Sequence, residues 1–322
     1  MIPAMDILSK SLRFLSGKSL SVLLFHKIPM EKDLLSSSNP NVSEFERTLD
    51  FISENFKVIS LSDAVDGLRR NVLPKNAACL TFDDGYPDWL DSVIPALSTR
   101  NMHGTFFITS EQFNSEAMWH ERINFIVKSR LKGDLALPKG LDLKLKVSPG
   151  NIKSLTEQLE SYLKYSSVSD RDSCLREIEE INGISRSEVP RMNIEQLRAI
   201  HAKGFEIGAH TISHPILSLC TEDSAWQEIA GIKDILSDLI KGEVSLFAYP
   251  NGIPGQDFTA DHVRMVRKAG YKAAVTTQHG VARCGESIYQ IPRFTPWGPD
   301  SYRYSWQMIR NQLASVRYLE EQ

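Results

Sequence analysis

Short hydrophobic runs along the chain alternate with stretches whose apolar residues repeat at helical spacing. Each run is short enough for a buried strand, and the stretches between runs are long enough for helices. Because parallel strands need a crossover connection, this alternation favours a parallel β/α architecture. Strands are predicted at residues 21–26, 57–61, 77–82, 104–109, 205–210, 245–249, 272–276 and 287–291.

The pattern changes between residues 116 and 190, where strand signals disappear and helical periodicity takes over. Helices are predicted at 118–131, 152–165 and 170–181, and Gly133 and the Ser148-Pro149-Gly150 group separate them. A segment without strands cannot form a sheet of its own. We therefore interpret 116–190 as a helical insertion within a single domain spanning residues 1–322.

Composition is that of an ordinary globular protein. The 322 residues are 42% hydrophobic and 24% charged, which is enough apolar material for a sizeable core. The net charge of −3 provides no basic field for nucleic acid or anionic lipid. No apolar run reaches the length of a membrane-spanning helix. Four scattered cysteines predict neither a disulfide framework nor a zinc knuckle.

The first 24 residues bear on location. They contain short apolar groups with Lys10, Arg13 and Lys18 dispersed among them, and no continuous apolar segment followed by a cleavage site. We therefore expect no secretory signal and a cytoplasmic location. An amphipathic N-terminal helix is expected here. Packing on its own domain is the favoured interpretation, and peripheral membrane contact is the alternative.

Two adjacent carboxylates end the apolar strand 77–82, where Asp83 and Asp84 are followed by Gly85. Neighbouring carboxylates repel, so a core strand gains no stability from this ending. The arrangement is tolerable if a cation neutralises one carboxylate and the other serves as a base. The alternative is an ordinary exit from the strand, because Asp-Gly is a common turn dipeptide.

Two histidines, His210 and His214, follow the strand predicted at 205–210. The intervening β-branched residues and Pro215 favour a tight loop over a helix. Two imidazoles and one carboxylate, with positions left open, suit a catalytic metal of the zinc type. Non-haem iron oxygenases use the same ligand set, but their carboxylate commonly lies within a few residues of the first histidine. Two unrelated histidines are the remaining alternative.

Together these motifs resemble the polysaccharide deacetylase family (NodB homology, carbohydrate esterase family 4). The resemblance rests on TFDDG at 81–85 and HTISHP at 210–215, and it extends in the family's order over about residues 20–295. It implies a distorted (β/α) barrel with about seven strands, and metal-dependent hydrolysis of an N-acetyl group on a sugar. The supporting segments are LLFHKIP at 23–29, GTFFIT at 104–109, GFEIGAH at 204–210 and FAYPNG at 247–252.

The resemblance also implies roles for individual residues. Asp83 is expected to be the general base. Asp84, His210 and His214 are expected to hold one divalent ion, for which we predict zinc. The stretch Tyr249-Pro250-Asn251 is expected to contact substrate, with the backbone N–H of Asn251 binding the oxyanion of the tetrahedral intermediate.

The sequence departs from the family pattern at two places. The stretch 247–252 lacks the arginine of the R-x-P-Y motif, so it offers no arginine to tune Asp83. The late leucine-x-histidine motif is absent, and Arg293 stands in the corresponding region, where we expect it to contact substrate. The general acid must then come from elsewhere. We predict His26, because it ends a parallel strand and should open onto the same face. Its alternative role is a hydrogen bond to a neighbouring loop.

Trp119 and Trp297 are candidates for stacking on a sugar ring, although aromatic residues more often fill cores or interfaces. The remaining histidines are interpreted as solvated side chains outside the site: His103, His120, His201, His262 and His279.

The expected function is removal of N-acetyl groups from an acetylated sugar or oligosaccharide, as part of a glycan or of a precursor in surface-polysaccharide or lipopolysaccharide biosynthesis. We expect the helical insertion to cover one side of the metal site. Two alternatives are an amidase acting on a non-sugar amide and a catalytically silent glycan-binding module. A binding module has no use for the second carboxylate, which argues against the latter.

Overall fold

The computed structural model describes residues 11–14, 16–32, 39–114, 117–130, 135–138, 141, 151–185, 189–296 and 301–320. Its centre is one sheet, in which the strands follow the order β7-β6-β5-β4-β3-β1-β8 and β2 pairs with β3 at one end. All neighbouring strands are parallel except β1 and β8. The strands are β1 (Ser19–Phe25), β2 (Lys57–Val58), β3 (Ala77–Asp84), β4 (Thr105–Ile108), β5 (Glu206–Ala209), β6 (Leu246–Ala248), β7 (Ala273–Val275) and β8 (Ala282–Arg283).

Helices cover the connections between the strands, as right-handed parallel crossovers require. The predicted distorted (β/α) barrel with about seven strands is confirmed. The helices are α1 (Val42–Asn55), α2 (Leu61–Arg70), α3 (Val93–Thr99), α4 (Trp119–Ser129), α5 (Ile152–Lys164), α6 (Val168–Ile181), α7 (Ile194–Ala202), α8 (Glu222–Trp226), α9 (Ile232–Ile240), α10 (Ala260–Lys268) and α11 (Ser301–Gln312). A π-helical turn, Gln227–Gly231, connects α8 to α9.

The central strands are apolar because both faces of the sheet are buried, one against the surrounding helices and the other in a cluster formed by the strands and α2. Every residue of β1 and β3 is buried, and the two strands pair from Leu20 opposite Ala77 to Phe25 opposite Phe82. Further along, Phe107 of β4 lies opposite Gly208 of β5. A Cβ atom at Gly208 would lie 2.4 Å from the Phe107 ring, so only glycine leaves room for this ring between the strands.

The prediction of a strand at 287–291 is wrong. The chain turns at Ser287, and only Ile291 pairs with Val275, as an isolated bridge. The turn places both Ile288 and Ile291 against the same hydrophobic cluster, which an extended strand with alternating faces would not do. The strand that ends this side of the sheet is β8, antiparallel to β1, which the hydrophobic pattern did not indicate.

Among its described residues, the segment 116–190 contains three helices and no strand. Helices α4, α5 and α6 enclose a hydrophobic cluster of their own, which includes Ile123, Leu159 and Leu175. A buried ion pair joins α4 to α6, because the Arg122 guanidinium donates to both carboxylate oxygens of Glu179 at 2.7 and 2.9 Å. The three helices therefore form one packed unit beside the sheet.

Two further findings concern the chain ends and the membrane. Of the predicted N-terminal helix, residues 11–14 lie among the described residues and are helical, with Leu12 buried and Phe14 86% exposed. Within the described ranges, no helix combines the length and the hydropathy needed to cross a bilayer.

Candidate active site

The paired carboxylates lie at the carboxyl end of β3, in register with β4. Asp83 is opposite Phe107 and Asp84 is opposite Ile108. His210 follows the end of β5, on the other side of β4. Because the carboxyl ends of parallel strands open onto one edge of the sheet, residues far apart in sequence meet there. Both carboxylates are nearly inaccessible, with 2% and 5% of their surface exposed.

His210 is oriented by the backbone of the next strand. Its Nδ1 lies 2.8 Å from the carbonyl oxygen of Ala248. A carbonyl can only accept, so Nδ1 carries the proton and Nε2 is left facing the carboxylates. Nε2 lies 3.5 Å from Oδ1 of Asp84 and 3.8 Å from Oδ2 of Asp83. The backbone of β6, which contains Ala248, therefore selects the tautomer of His210 in which Nε2 is free to bind a metal.

The loop from 211 to 214 is fastened by Glu228. This carboxylate accepts hydrogen bonds from the backbone N–H groups of Ile212 and Ser213 at 2.7 and 3.0 Å, and from the Ser213 hydroxyl at 2.7 Å. Glu228 belongs to the π-helical turn between α8 and α9. Such turns often occur at functional sites, and here the turn positions the acceptor for the loop that ends in His214.

Four non-glycine residues around the site have left-handed backbone conformations. The φ angles are 84° for Asp84, 62° for Thr211, 52° for His214 and 57° for Asn251. Such angles are uncommon for residues with a Cβ atom, and they persist only where the surroundings enforce them. One of the enforcing contacts is the hydrogen bond from the His214 N–H to the Thr211 hydroxyl, at 3.1 Å. The backbone is therefore shaped to bring these side chains together.

Asp84, His210 and His214 form a group whose side chains could hold a metal ion. One ligand atom from each lies within 4.8 Å of the others, and all three residues are buried. The His214 Nε2 is 3.6 Å from Oδ1 of Asp84, and its Nδ1 has no hydrogen-bond partner among the described residues. A carboxylate and two imidazoles, converging without an internal partner for every atom, form a donor set that fits a divalent ion of the zinc type.

The protonation states of this set depend on its surroundings. Burial by itself raises the pKa of the Asp84 carboxyl, but the hydrogen bond with His210 and the charges of His26, His120 and His214 outweigh burial and hold it well below its usual range. Burial, with the nearby charge of His210, lowers the pKa of His214 well below its usual range. An ionised Asp84 and a neutral His214 are the forms that bind a metal.

Asp83 is paired with an arginine that the sequence motifs did not indicate. Arg293 donates to both carboxylate oxygens of Asp83, at 2.7 and 2.6 Å, and its Nε donates to the carbonyl of Thr276 at 2.8 Å. Arg293 is 1% exposed. A bidentate contact of this kind fixes both the charge balance and the orientation of the carboxylate.

A cavity of about 680 Å³ opens above these groups. Asp83, Asp84 and His210 form its floor, and one face of α5 forms a polar wall. Burial, together with the neighbouring Glu157 and Glu121, raises the pKa of Glu160 in this wall to about 7. The residues that α5 contributes are Lys153, Thr156, Glu157, Glu160, Ser161 and Lys164.

His26 lies in the wall of the same cavity, directly after β1. Its carbonyl accepts a hydrogen bond from the Trp89 indole at 2.9 Å, which holds the main chain at this point. The structure therefore brings His26 to the cavity that Asp83 and Asp84 line. Its role as the general acid stays a prediction.

His120 was expected to be solvated, and this expectation is wrong. Its side chain is 17% exposed, and its Nε2 lies 2.8 Å from the Tyr86 hydroxyl and 3.6 Å from Oδ2 of Asp84. It occupies the first turn of α4, so the helical segment supplies a fourth histidine to the site. No local motif marks this position, because only the packing of α4 against the sheet places it there.

Three residues expected to contact substrate, Arg293, Tyr249 and Pro250, are not among the residues that line the cavity. Arg293 uses its guanidinium to bind Asp83, and Tyr249 is fully buried, stacked on Phe258 with ring centroids 3.9 Å apart. Pro250 is also buried, and Asn251 is the residue of that stretch that lines the cavity.

Trp119 lines the cavity too but is only 8% exposed. Its ring faces the guanidinium of Arg171 at 5.1 Å, and its indole nitrogen has no hydrogen-bond partner in the part of the chain that the structure describes. Stacking of this ring on a sugar stays a prediction. Trp297, the other tryptophan predicted to stack, lies outside the described residues.

Comparison with known proteins identifies the class. A family model described as polysaccharide deacetylase matches residues 70–274, which is more than half of the chain. The chain therefore belongs to the polysaccharide deacetylase family. Among the relatives, the protein YxkH of Bacillus subtilis (strain 168) is 26% identical over 99 residues, which cover 31% of this chain. The match spans about a third of that relative, 34% of its length.

Several solved structures share the fold. IcaB from Ammonifex degensii is 18% identical, with a TM-score of 0.60 over 93% of this chain and 99% of that chain. The deacetylase PplD from Streptococcus pyogenes, in complex with acetate, is 16% identical, with a TM-score of 0.58 over 87% and 92%. The BpsB deacetylase domain from Bordetella bronchiseptica is 16% identical, with a TM-score of 0.54 over 87% and 96%. At these identities the likeness establishes the fold.

A first prediction concerns the loop held by Glu228. Glu228→Ala removes the acceptor for two backbone N–H groups, so the His214 loop loses its support. We expect the affinity for Zn²⁺ to fall about 10- to 100-fold, measured by competition with a chromophoric chelator. Glu222→Ala, an exposed carboxylate on α8, is the matched control and should leave affinity unchanged. Equal affinities for the two variants would contradict the positioning role.

A second prediction concerns the buried pair of Asp83 and Arg293. Arg293→Met leaves the Asp83 charge without compensation, so the free energy of unfolding should fall by about 3–5 kcal/mol in chemical denaturation. Adding Asp83→Asn removes that charge and should restore part of the loss. Arg264→Met, at an exposed pair on α10, should change stability little. A double variant no more stable than Arg293→Met would argue against charge compensation.

Proposed function

We propose that this protein is a metal-dependent hydrolase that removes N-acetyl groups from an acetylated sugar. The observation that carries the proposal is the buried set of Asp84, His210 and His214, next to the arginine-paired Asp83 on the floor of one cavity. This arrangement combines a divalent-ion site with a second carboxylate that the metal set does not use. Metal-assisted hydrolysis of an amide uses a Lewis acid together with a base.

The family membership supports this reaction class. PplD, which shares the fold, is a deacetylase whose structure was determined with acetate, and the corresponding BpsB domain is also a deacetylase. Acetate is the product that the proposed reaction releases. We extend this chemistry to the present chain because its family and its cavity agree with it.

In the proposed mechanism, Asp83 is the general base. Arg293 holds the carboxylate by both oxygens, and the Oδ2 of Asp83 lies 3.8 Å from Nε2 of His210, so the base is adjacent to the metal set. Asp83 accepts a proton from the attacking water. Because Arg293 holds both of its oxygens, the carboxylate does not have to reorient during this step. The second carboxylate, Asp84, binds the metal.

The remaining roles fall to groups around the cavity. Asp84, His210 and His214 would hold a divalent ion, which we propose to be zinc, and a bound ion would provide Lewis acidity at the acetyl carbonyl. The backbone N–H of Asn251, whose φ of 57° presents that turn to the cavity, donates to the developing oxyanion. His26 donates the proton that the departing amine nitrogen requires.

The substrate we propose is an acetylated sugar within a glycan or a glycan precursor of surface-polysaccharide or lipopolysaccharide biosynthesis. The polar face of α5 supports an extended, hydroxyl-rich ligand, since it contributes six residues to one wall of the cavity. A cytoplasmic location is part of the proposal.

A third prediction tests this function. Acetate release from acetylated oligosaccharides should occur with Zn²⁺ and stop when a chelator removes the ion. Asp83→Asn should abolish turnover while metal content is kept, because the base is lost and the ligands remain. Asp84→Asn should lower both, because a ligand is lost.

Simple acetylated amides without a sugar serve as the comparison substrate, and Asp63→Asn, an exposed carboxylate, serves as the control variant. Faster release from the simple amide would indicate an amidase. Binding of the glycan without any acetate release would indicate a silent module. Full activity of both site variants would exclude the assigned roles.

A fourth prediction concerns the acid. His26→Ala removes the proposed proton donor without touching the metal set, so turnover should fall by about a hundredfold or more at unchanged metal content. His103→Ala, an exposed histidine outside the cavity, is the matched control. Turnover of His26→Ala within a few fold of the parent would rule out this role.

A further inference from the structure

The last helix, α11, has an outer face made of aromatic, aliphatic and cationic residues. Tyr302 is 53% exposed, Trp306 is 50% exposed and Leu313, directly after the helix, is 68% exposed. Arg303 and Arg310 are also exposed. They share a face with Tyr302, Trp306 and Leu313, because neighbours three or four residues apart lie on the same side of a helix. We refer to Tyr302, Arg303, Trp306, Arg310 and Leu313 as the α11 face. It contains no acidic residue.

The opposite side of α11 is fastened to the domain, so this face is presented rigidly. The hydroxyl of Tyr304 lies 2.7 Å from that of Thr48 in α1, and the Asn311 side chain exchanges two hydrogen bonds of 2.8 Å with the backbone of Gly280. Gln312 bonds the hydroxyls of Ser19 and Ser21 in β1. The exposed aromatic residues are therefore part of a well-held helix.

A second cavity, of about 500 Å³, lies beside this face. Its ionisable lining residues are His279, Arg303 and Arg310, and no carboxylate is among its lining residues in the described part of the chain. The Arg310 guanidinium lies 5.4 Å from the centre of the Trp306 ring. A cavity with this lining attracts an anionic group, and the stacked arginine is positioned next to an aromatic ring that can enter an apolar layer.

We propose that the α11 face docks the protein onto an anionic lipid membrane, with a lipid phosphate in the cavity beside it. Tryptophan and tyrosine favour the boundary between headgroups and acyl chains, and arginines on the same face add attraction to anionic lipids. A free phosphate would account for the arginines but not for the exposure of Tyr302, Trp306 and Leu313. The net charge of −3 is a sum over the whole chain and does not reveal the local positive charge on this face.

The α11 face lies close to the catalytic cavity, so docking would affect how substrate reaches that cavity. Thr277 lines the catalytic cavity, and His279, two residues later, lines the cavity of the α11 face. Likewise, Arg293 binds Asp83 while the adjacent Phe294 lines the second cavity. Docking through α11 therefore brings the loops that carry the active site close to the membrane surface. The docking itself does not depend on the proposed deacetylase activity.

A fifth prediction tests docking with the full chain and two kinds of vesicle. Vesicles of phosphatidylcholine with about 30% phosphatidylglycerol should pull down the protein on sedimentation, and vesicles of phosphatidylcholine alone should not. Binding should weaken as sodium chloride is raised, because salt screens the attraction between arginines and lipid. Equal binding to both vesicles, or binding to neither, would overturn the proposal.

Substitutions locate the contact on the protein. The double variant Arg303→Gln/Arg310→Gln should bind anionic vesicles at least tenfold more weakly, and so should Trp306→Ala. The matched controls remove similar groups from other helices: Arg264→Gln/Arg267→Gln on α10 and Tyr162→Ala on α5. The controls should bind as the parent does, and thermal denaturation should show every variant to be folded.

Two results would refute the proposal even if the parent binds. An equal loss of binding in the α10 control would indicate attraction by charge alone, without a defined face. Release of the protein from vesicles by millimolar inorganic phosphate at constant ionic strength would indicate a phosphate pocket in place of a membrane surface. Vesicle binding that the α11 variants alone reduce, and that phosphate leaves intact, would support it.

Discussion

The burial of two adjacent carboxylates at the end of β3 is the constraint on which the rest of the site depends. Removing a carboxylate from water costs several kcal/mol unless a positive charge compensates it. Asp83 obtains that charge from the bidentate contact of Arg293, while the hydrogen bond with His210 and the neighbouring histidines hold the pKa of Asp84 below its usual range. This division separates the two carboxylates chemically, as the roles proposed for them, a metal ligand for Asp84 and a base for Asp83, require.

Asp83 and Asp84 can have different partners because three parallel strands and their loops contribute residues to one edge of the sheet. The Ala248 carbonyl orients His210, and Glu228 holds the loop before His214. The left-handed backbone conformation at His214 is supported by the hydrogen bond from its N–H to the Thr211 hydroxyl. The free energy needed to keep such conformations comes from the surrounding hydrogen bonds and from the buried sheet, which is why the site is built on strand ends and not on a long free loop.

The helices outside the sheet add residues to the cavity that the strand ends do not supply. α4 brings His120 and Trp119 to the cavity, and α5 adds a polar wall. The ion pair between Arg122 and Glu179 joins α4 to α6, and the shared hydrophobic cluster packs α5 with both helices. Next to the loops of the active site, α11 presents an aromatic and cationic face. Substrate contact and membrane contact would thus involve separate helices on a common sheet.

The sequence by itself determined the alternation of strands and helices, the helical character of 116–190, and the motifs that carry Asp83, Asp84, His210 and His214. These features are local, because a strand of eight residues or a motif of six is encoded by its own neighbours. The contacts of Arg293 with Asp83 and of His120 with Tyr86 and Asp84 were decided by tertiary structure alone. The first joins residues 210 positions apart, and the second depends on how a helix packs against a sheet. The turn at Ser287 likewise followed from packing, since burying both Ile288 and Ile291 against one cluster outweighed the extended conformation that their pattern favoured.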